Sequence, residues 1–565
     1  MQSLMNLDDE ALFGRVKKDF RDSLSALSVY HAEWREYDEF YMGQHWKVQR
    51  PDWRPNPVIN YISYVIDQKA PQITQQRPSG ILYPTHPSDE ESARIFTQAT
   101  EVVSDRCNLD QIVDEVVRTG LLLDISWIKV YWDNSIMGGS YSKMNQYQGD
   151  VTVETVDPTN IYFDPAATHV EDCNYIVYAV VKSTEWIKEF WGVDISPENT
   201  SETDIYNRPI LNNNSTKKVT FYEYWYKEDS GLHVVYAAGN KILKHIRNVY
   251  KHGRYPFVPF VAKKNRKSIL GISECRNLLN NQKLLNKLVE IPVVNSMLVA
   301  NPILLVDAAS GIDANKVTSK PGQIWTVRDG GAGIRYLNPP TLGGEVFKMI
   351  SQMTEFMERI GGVYDANTGQ TPGGVTAASA IQLLQEQGSI PLKGIARNLY
   401  ATLKEVYEQM VELIKEFYTE TRYLRVMGKD GKFEFMEFNA LQHKNIDFDI
   451  RVSAGASTPT SKAYIAQLGL DLFQQGLLLP SEYVDMLENV PNKDKIVERL
   501  RQKESEQPPQ QGQSTQQALP QQSQMPSLND IYQKAPKELQ NQIDLMKEQG
   551  ASDDQIMQLL MKSQG

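Results

Sequence analysis

The stretch Ser273-Glu-Cys-Arg-Asn-Leu-Leu-Asn-Asn-Gln-Lys-Leu-Leu-Asn-Lys-Leu-Val-Glu-Ile-Pro-Val-Val-Asn-Ser-Met-Leu-Val-Ala300 opens the part of the chain on which its fold turns. Its apolar residues, Leu278, Leu284, Leu285, Leu288, Ile291 and Leu298, recur at helical spacing. A helix of about 28 residues spans about 42 Å at 1.5 Å per residue and cannot bury such a stripe alone. A second striped helix follows over about Gly343–Ile360, with Val346, Met349, Ile350, Met353, Phe356, Met357 and Ile360. A third runs over about Ile395–Tyr418, with Ile395, Leu399, Leu403, Val406, Met410, Leu413 and Phe417. Between the second and third lies Asp365-Ala-Asn-Thr-Gly-Gln-Thr-Pro-Gly-Gly374, rich in turn formers. Residues 268 to 418 therefore read as helix, small β-rich insert, helix, loop, helix: an assembly element rather than an active site.

Composition narrows the classes. A chain of 565 residues is too long for one ordinary core, so two or more domains are expected. Its net charge of −11 excludes a general electrostatic adhesive for nucleic acid or acidic membrane. Three cysteines, Cys107, Cys173 and Cys275, are too few and too scattered for a disulfide framework and fit a reducing compartment. The N-terminal residues show no signal-peptide pattern, and no stretch approaches the ~20 apolar residues that span a bilayer. The expectation is a soluble protein.

Upstream of the centre, the pattern predicts helices over residues 8–42, 58–76, 88–106 and 110–122, with Ser88-x-x-Glu91 as a capping box and an extended piece at Ile81–Pro84. From Trp127 to about 260 the period changes to two. Strands are expected at 127–132, 151–156, 219–226, 232–237 and 241–246, the last two joined by Gly239-Asn240, with a short helix at Trp186–Trp191. Downstream, Tyr423–Val426 and Phe433–Phe438 read as a hairpin, and Ile446, Phe448, Ile450 and Val452 as a half-buried strand in position to join the earlier sheet. Helices follow at 461–475, 481–488 and 493–503. Gln507–Pro526, rich in Gln, Pro and Ser, reads as a disordered linker before a C-terminal helical pair.

No phosphate loop, His-Glu-x-x-His, Gly-x-Ser-x-Gly elbow or Cys/His zinc spacing is present, so no catalytic residue, metal or cofactor is expected. Asp447 and Asp449 read as the solvent face of a strand, and Asp157-Pro158 and Asp164-Pro165 as turn starts. Two features carry a functional reading beside a plain one. Lys263-Lys264-Asn-Arg266-Lys267, continued by Lys283 and Lys287 one helical turn apart, is either a solvated face or a local phosphate contact. Pro292 is either a helix break or a kink that re-aims a long helix.

The layout resembles the portal proteins of tailed bacteriophages, of the podovirus and siphovirus type, over about residues 10–500. The most specific stretch is Gly362-Val-Tyr-Asp-Ala-Asn-Thr-Gly-Gln-Thr-Pro-Gly-Gly-Val-Thr-Ala-Ala-Ser-Ala-Ile-Gln-Leu-Leu-Gln-Glu-Gln387, supported by Asn60–Pro78, Gly120–Trp132 and Val156–Asp164. The resemblance implies an α+β, mostly helical portal fold. Residues 1–267 would be a wing, 268–300 and 341–362 two stem helices, and 301–340 a clip. Residues 363–458 would supply a channel loop, a long wing helix and returning strands. Residues 459–503 would form a helical crown, ahead of the linker 504–526 and the helical pair 527–565.

By the same resemblance the chain would form a non-enzymatic dodecameric ring at the capsid vertex of the virion, assembled in the host cytoplasm. Double-stranded DNA would pass through it during packaging and ejection, and it would dock terminase, then head–tail adaptor proteins, beside capsid and scaffold proteins, with no membrane partner. The candidate DNA contacts are Asn367, Thr368, Gln370 and Thr371 in the channel loop, or else Gly388–Pro391, together with Lys263, Lys264, Arg266, Lys267, Lys283 and Lys287. Met349, Met353 and Met357 form the expected oligomerisation or core stripe. The competing classes are a DNA-processing enzyme, nuclease or packaging ATPase, and another head–tail structural protein.

Overall fold

The computed structural model describes residues 4–48, 50–75, 78–138, 147–198, 217–229, 231–307, 334–337, 342–363, 390–427, 433–440, 446 and 448–454, with short stretches between 469 and 501. The chain forms two units, Met1–Thr460 and Ser461–Gly565. In the first, helix α1 (Asp9–Tyr41) is followed by α2 (Tyr61–Thr74), β1 (Pro78–Pro84), α3 (Glu90–Arg106) and α4 (Leu109–Leu122). Then come β2 (Ser126–Gly138), β3 (Tyr147–Val156), β4 (Ile161–Phe163), β5 (Tyr175–Ser183), α5 (Thr184–Trp191), β6 (Lys218–Glu228), β7 (Gly231–Ala238), β8 (Lys241–Ile246) and β9 (Phe257–Phe260). The centre holds α6 (Glu274–Ala300), β10 (Ile303–Val306), β11 (Ile334–Leu337), α7 (Glu345–Gly361) and α8 (Ile390–Phe417). It ends with β12 (Arg422–Met427), β13 (Phe433–Phe438) and β14 (Phe448–Ala454). In the second unit, helix α9 (Pro480–Met486) packs Tyr483 on Phe473, ring centroids 5.1 Å apart.

Helix starts follow short polar caps. Asp8 accepts from the Ala11 amide (2.9 Å), Asn60 from Ser63 (3.1 Å) and Ser273 from Arg276 (3.1 Å), each cap stabilising its helix by about 1 kcal/mol. The capping box expected at Ser88 is absent. Pro87–Asp89 forms a separate 3-10 turn, Ser88 bonds to Asp89 (3.0 Å), and Glu91 is taken by Arg94 (2.6 Å).

All strand pairs are antiparallel. β4-β5-β6-β7-β8 make one five-stranded sheet and β3-β2-β9 a three-stranded one. The β7–β8 hairpin turns on Gly239 (φ +54°) and Asn240 (φ +63°), the left-handed pair that a tight hairpin needs. The alternation along β6 predicts one buried face, but residues 219–226 are buried on both. α1 covers the face of Tyr222 and Tyr224, with Phe20 edge-on to Tyr222 at 5.3 Å and Tyr224 donating to Asp19 (2.7 Å). The other face meets the three-stranded sheet, where Glu223 pairs with Lys129 at 2.9 Å and Trp225 stands edge-on to Phe257. Glu223 is thus polar and internal because a cation from the facing layer satisfies it.

The returning strands join neither of these sheets. β14 pairs with β1, and β12 pairs with β13. α8 lies beneath β1 so closely that a Cβ at Gly80 would sit 2.6 Å from the Tyr407 ring. The end of α8 is fixed by Tyr418, whose hydroxyl bonds to Asp150, a buried carboxylate that Arg106 and Arg422 also approach.

Candidate assembly surface and nucleic-acid interface

α6 is held by a row of buried polar contacts along its first 17 residues. At its start, buried Asp124 accepts from the Ser273 amide (3.0 Å), the Trp34 indole (3.1 Å) and Arg276 (2.5 Å). The Asp124 carboxylate holds the Arg276 guanidinium firmly protonated, its pKa raised first by that hydrogen bond. One position on, fully buried Glu274 receives Lys69 at 2.9 Å and Lys263 at 3.0 Å. Burial pulls the Lys69 ammonium below the ordinary lysine value despite Glu274. Two turns later Gln282 accepts from the Tyr61 amide (2.9 Å) at the start of α2 and donates to the Ile59 carbonyl (2.7 Å). Asn286 continues this network to His45 (2.7 Å). Last, Glu290 receives Arg50 at 2.8 Å and Arg54 at 2.5 Å from the segment between α1 and α2. Burial raises the Glu290 carboxyl, but hydrogen bonds from Arg54 and Arg50 outweigh it and leave it below the ordinary value.

Beyond Glu290 no residue of α6 is buried. The helix continues through Pro292 to Ala300, so the proline does not end it. Pro292 has no amide hydrogen to give the Leu288 carbonyl, which makes this the one turn of α6 with a missing rung. The apolar stripe expected on α6 divides in two. Leu278, Leu285 and Leu288 are buried, whereas Leu284 (43%), Ile291 (45%) and Leu298 (39%) are exposed, spaced by sevens along the adjoining edge of the stripe. α7 divides likewise. Met357 is fully buried, Ile350 and Met353 pack against the core, and Met349 (49%), Phe356 (50%) and Ile360 (45%) face outward. The hydrophobic sector of each helix is wider than its own chain covers.

The basic run also divides. Lys263 is committed to Glu274, and Lys283 to Glu36 at 2.9 Å. Lys264, Arg266, Lys267 and Lys287 are exposed. The channel-loop residues Asn367, Thr368, Gln370 and Thr371 lie outside the described residues, as do Gly388 and Ser389. Ile390 and Pro391 form the first turn of α8, a place where proline's missing amide costs nothing. Among the described residues, no group of three or more His, Cys, Asp or Glu could hold a metal ion. Asp157 and Asp164 cap turns, to Thr159 (3.0 Å) and Ala166 (2.9 Å).

The family model described as the phage P22-like portal protein matches residues 17–232 and 230–552. The chain belongs to the P22-like phage portal protein family. No curated protein matches it. The portal family is structural and capsid-associated rather than enzymatic. Its match runs to residue 552, beyond the 10–500 span of the resemblance seen in the sequence, and so takes in most of the C-terminal segment. Among the described residues of this portal protein, no helix is long and apolar enough to cross a membrane.

Sequence reasoning missed the residues that hold α6: Arg50, Arg54, Lys69, Asp124 and Gln282. Their partners lie up to 240 residues away, as with Arg50 and Glu290, so no local spacing marks them. The available signal was the run of polar residues on one face of α6, Gln282, Asn286 and Glu290 at every fourth position. On a solvated face that pattern is ordinary; here the face is internal.

Proposed function

We propose that this portal protein assembles into a ring at the capsid vertex and serves as the conduit for double-stranded DNA during packaging and ejection. On this reading α6 and α7 are the stem, with β10 and β11 in the clip, and the ring docks terminase and then head–tail adaptors. The observation that carries the reading is the pair of apolar faces on α6 and α7 that the chain itself leaves open. Leu284, Ile291 and Leu298 lie on one helix and Met349, Phe356 and Ile360 on the other. They belong to two helices with different side chains, and a head-to-tail contact between unlike surfaces is what closes a ring. Burying a side chain of this size against a neighbour contributes about 1.5–3 kcal/mol, so six of them make a substantial interface. Membership of the portal family supports the vertex and the DNA as parts of this reading. The test is direct imaging of the purified chain by negative stain with mass photometry. Rings with a central hole are expected; compact monomers at micromolar concentration would overturn the proposal.

A further inference from the structure

The geometry points to a phosphate-binding patch made by the loop Lys264–Ser268 together with the first turns of α8, a surface that takes the backbone of duplex DNA. It rests on the conduit reading above. Three hydrogen bonds fix how α8 runs against the chain around β9. Gln409 donates to the Tyr255 carbonyl (3.1 Å), Thr402 to Pro259 (2.9 Å) and Asn398 to Ala262 (3.1 Å). The helix descends as the strand ascends, so the next residues of each, Lys263–Lys267 and Pro391–Arg397, come side by side. The loop projects because its base is closed by the Ile272 amide on the Lys263 carbonyl (2.9 Å).

The charges there are of one sign. Residues 258–273 and 391–404 hold seven cations and no carboxylate, in a chain whose net charge is −11. Lys263 is held by Glu274, Lys404 lies 3.7 Å from Glu408, and Lys393 has an interaction of its own. Lys264, Arg266, Lys267 and Arg397 are all exposed. Four like charges gathered from two elements repel one another, and a polyanion relieves that repulsion while releasing its own counterions. Tyr400 is half-buried and Phe260 buried, so among the described residues of these two segments no exposed ring is offered for base stacking. That favours a duplex, read through its phosphates, over a single strand.

The experiment measures binding of a fluorescent duplex of about 30 base pairs to the full-length assembly between about 50 and 200 mM salt, where each phosphate contact contributes about 0.9 to the slope of log affinity against log salt. Combining Lys264→Gln, Arg266→Gln, Lys267→Gln and Arg397→Gln is expected to lower that slope by about 2–4 and the low-salt affinity at least roughly tenfold. A control removes four exposed lysines elsewhere, Lys188, Lys217, Lys241 and Lys244, each to Gln, for the same change in net charge. An unchanged slope in the first variant, or an equal loss in the control, overturns the patch. Imaging the same samples separates the two ideas. Rings that bind no duplex leave the ring reading standing and sink the patch; patch-dependent binding by a chain that forms no ring does the reverse.

Discussion

His31 lies in the core at 3% exposure beside Trp34 and Tyr162, and neither ring nitrogen has a hydrogen-bond partner. Burial lowers its pKa to about 4, with Asp157 opposing weakly. The unfolded chain therefore binds a proton near pH 6.5 that the folded chain refuses until about pH 4, so stability falls as pH drops through that window. The penalty from this one group is about 2 kcal/mol near pH 5. Replacing His31 by Phe is expected to flatten the decline in melting temperature between pH 7 and 5, read by calorimetry. An identical pH dependence in the variant would show that other groups, such as His252, govern it. His252, half-buried, is also lowered to about 4, by burial first and then by Arg254.

The elements show what sequence could reveal and where it stopped. The boundaries of α1 and α6 and the end of α8 were legible because caps and apolar spacing are local, whereas α8 begins at Ile390, five residues ahead of the expected Ile395. Which part of a stripe is buried was not legible, since it depends on chain hundreds of residues away. Val65, the neighbour of Gly361, comes from α2. The same limit hid the second covered face of β6 and sent β14 to β1 instead of the larger sheets. α7 turns the division of its stripe into a prediction. Met357→Asp puts an unpaired carboxylate in the core and is expected to lower stability by several kcal/mol. Phe356→Asp faces outward and is expected to leave the unfolding free energy within about 0.5 kcal/mol of wild type while abolishing higher assembly. If Phe356→Asp still forms the wild-type oligomer by size exclusion, that face of α7 is no interface.

At the scale of the molecule, residues 1–460 form their own unit, with a hydrophobic core running from α1 through α8 to β14. The faces proposed for assembly all lie in it. Removing residues 504–565 is therefore expected to leave ring formation intact, and loss of rings on truncation would move part of the interface into the C-terminal segment. The buried polar contacts along α6 bear on this assembly in another way. Apolar packing tolerates small rotations, because a greasy surface can slide over another at little cost. Hydrogen bonds and ion pairs are directional, and α6 has them at Ser273, Glu274, Arg276, Gln282, Asn286 and Glu290, a lever about 25 Å long. Six pins over that length fix the pointing direction of the helix. In a closed ring an angular error in one subunit is repeated by every subunit, and the last fails to meet the first. In the proposed ring the pins on α6 would thus act as a tolerance on geometry, the quantity that separates closure from an open spiral.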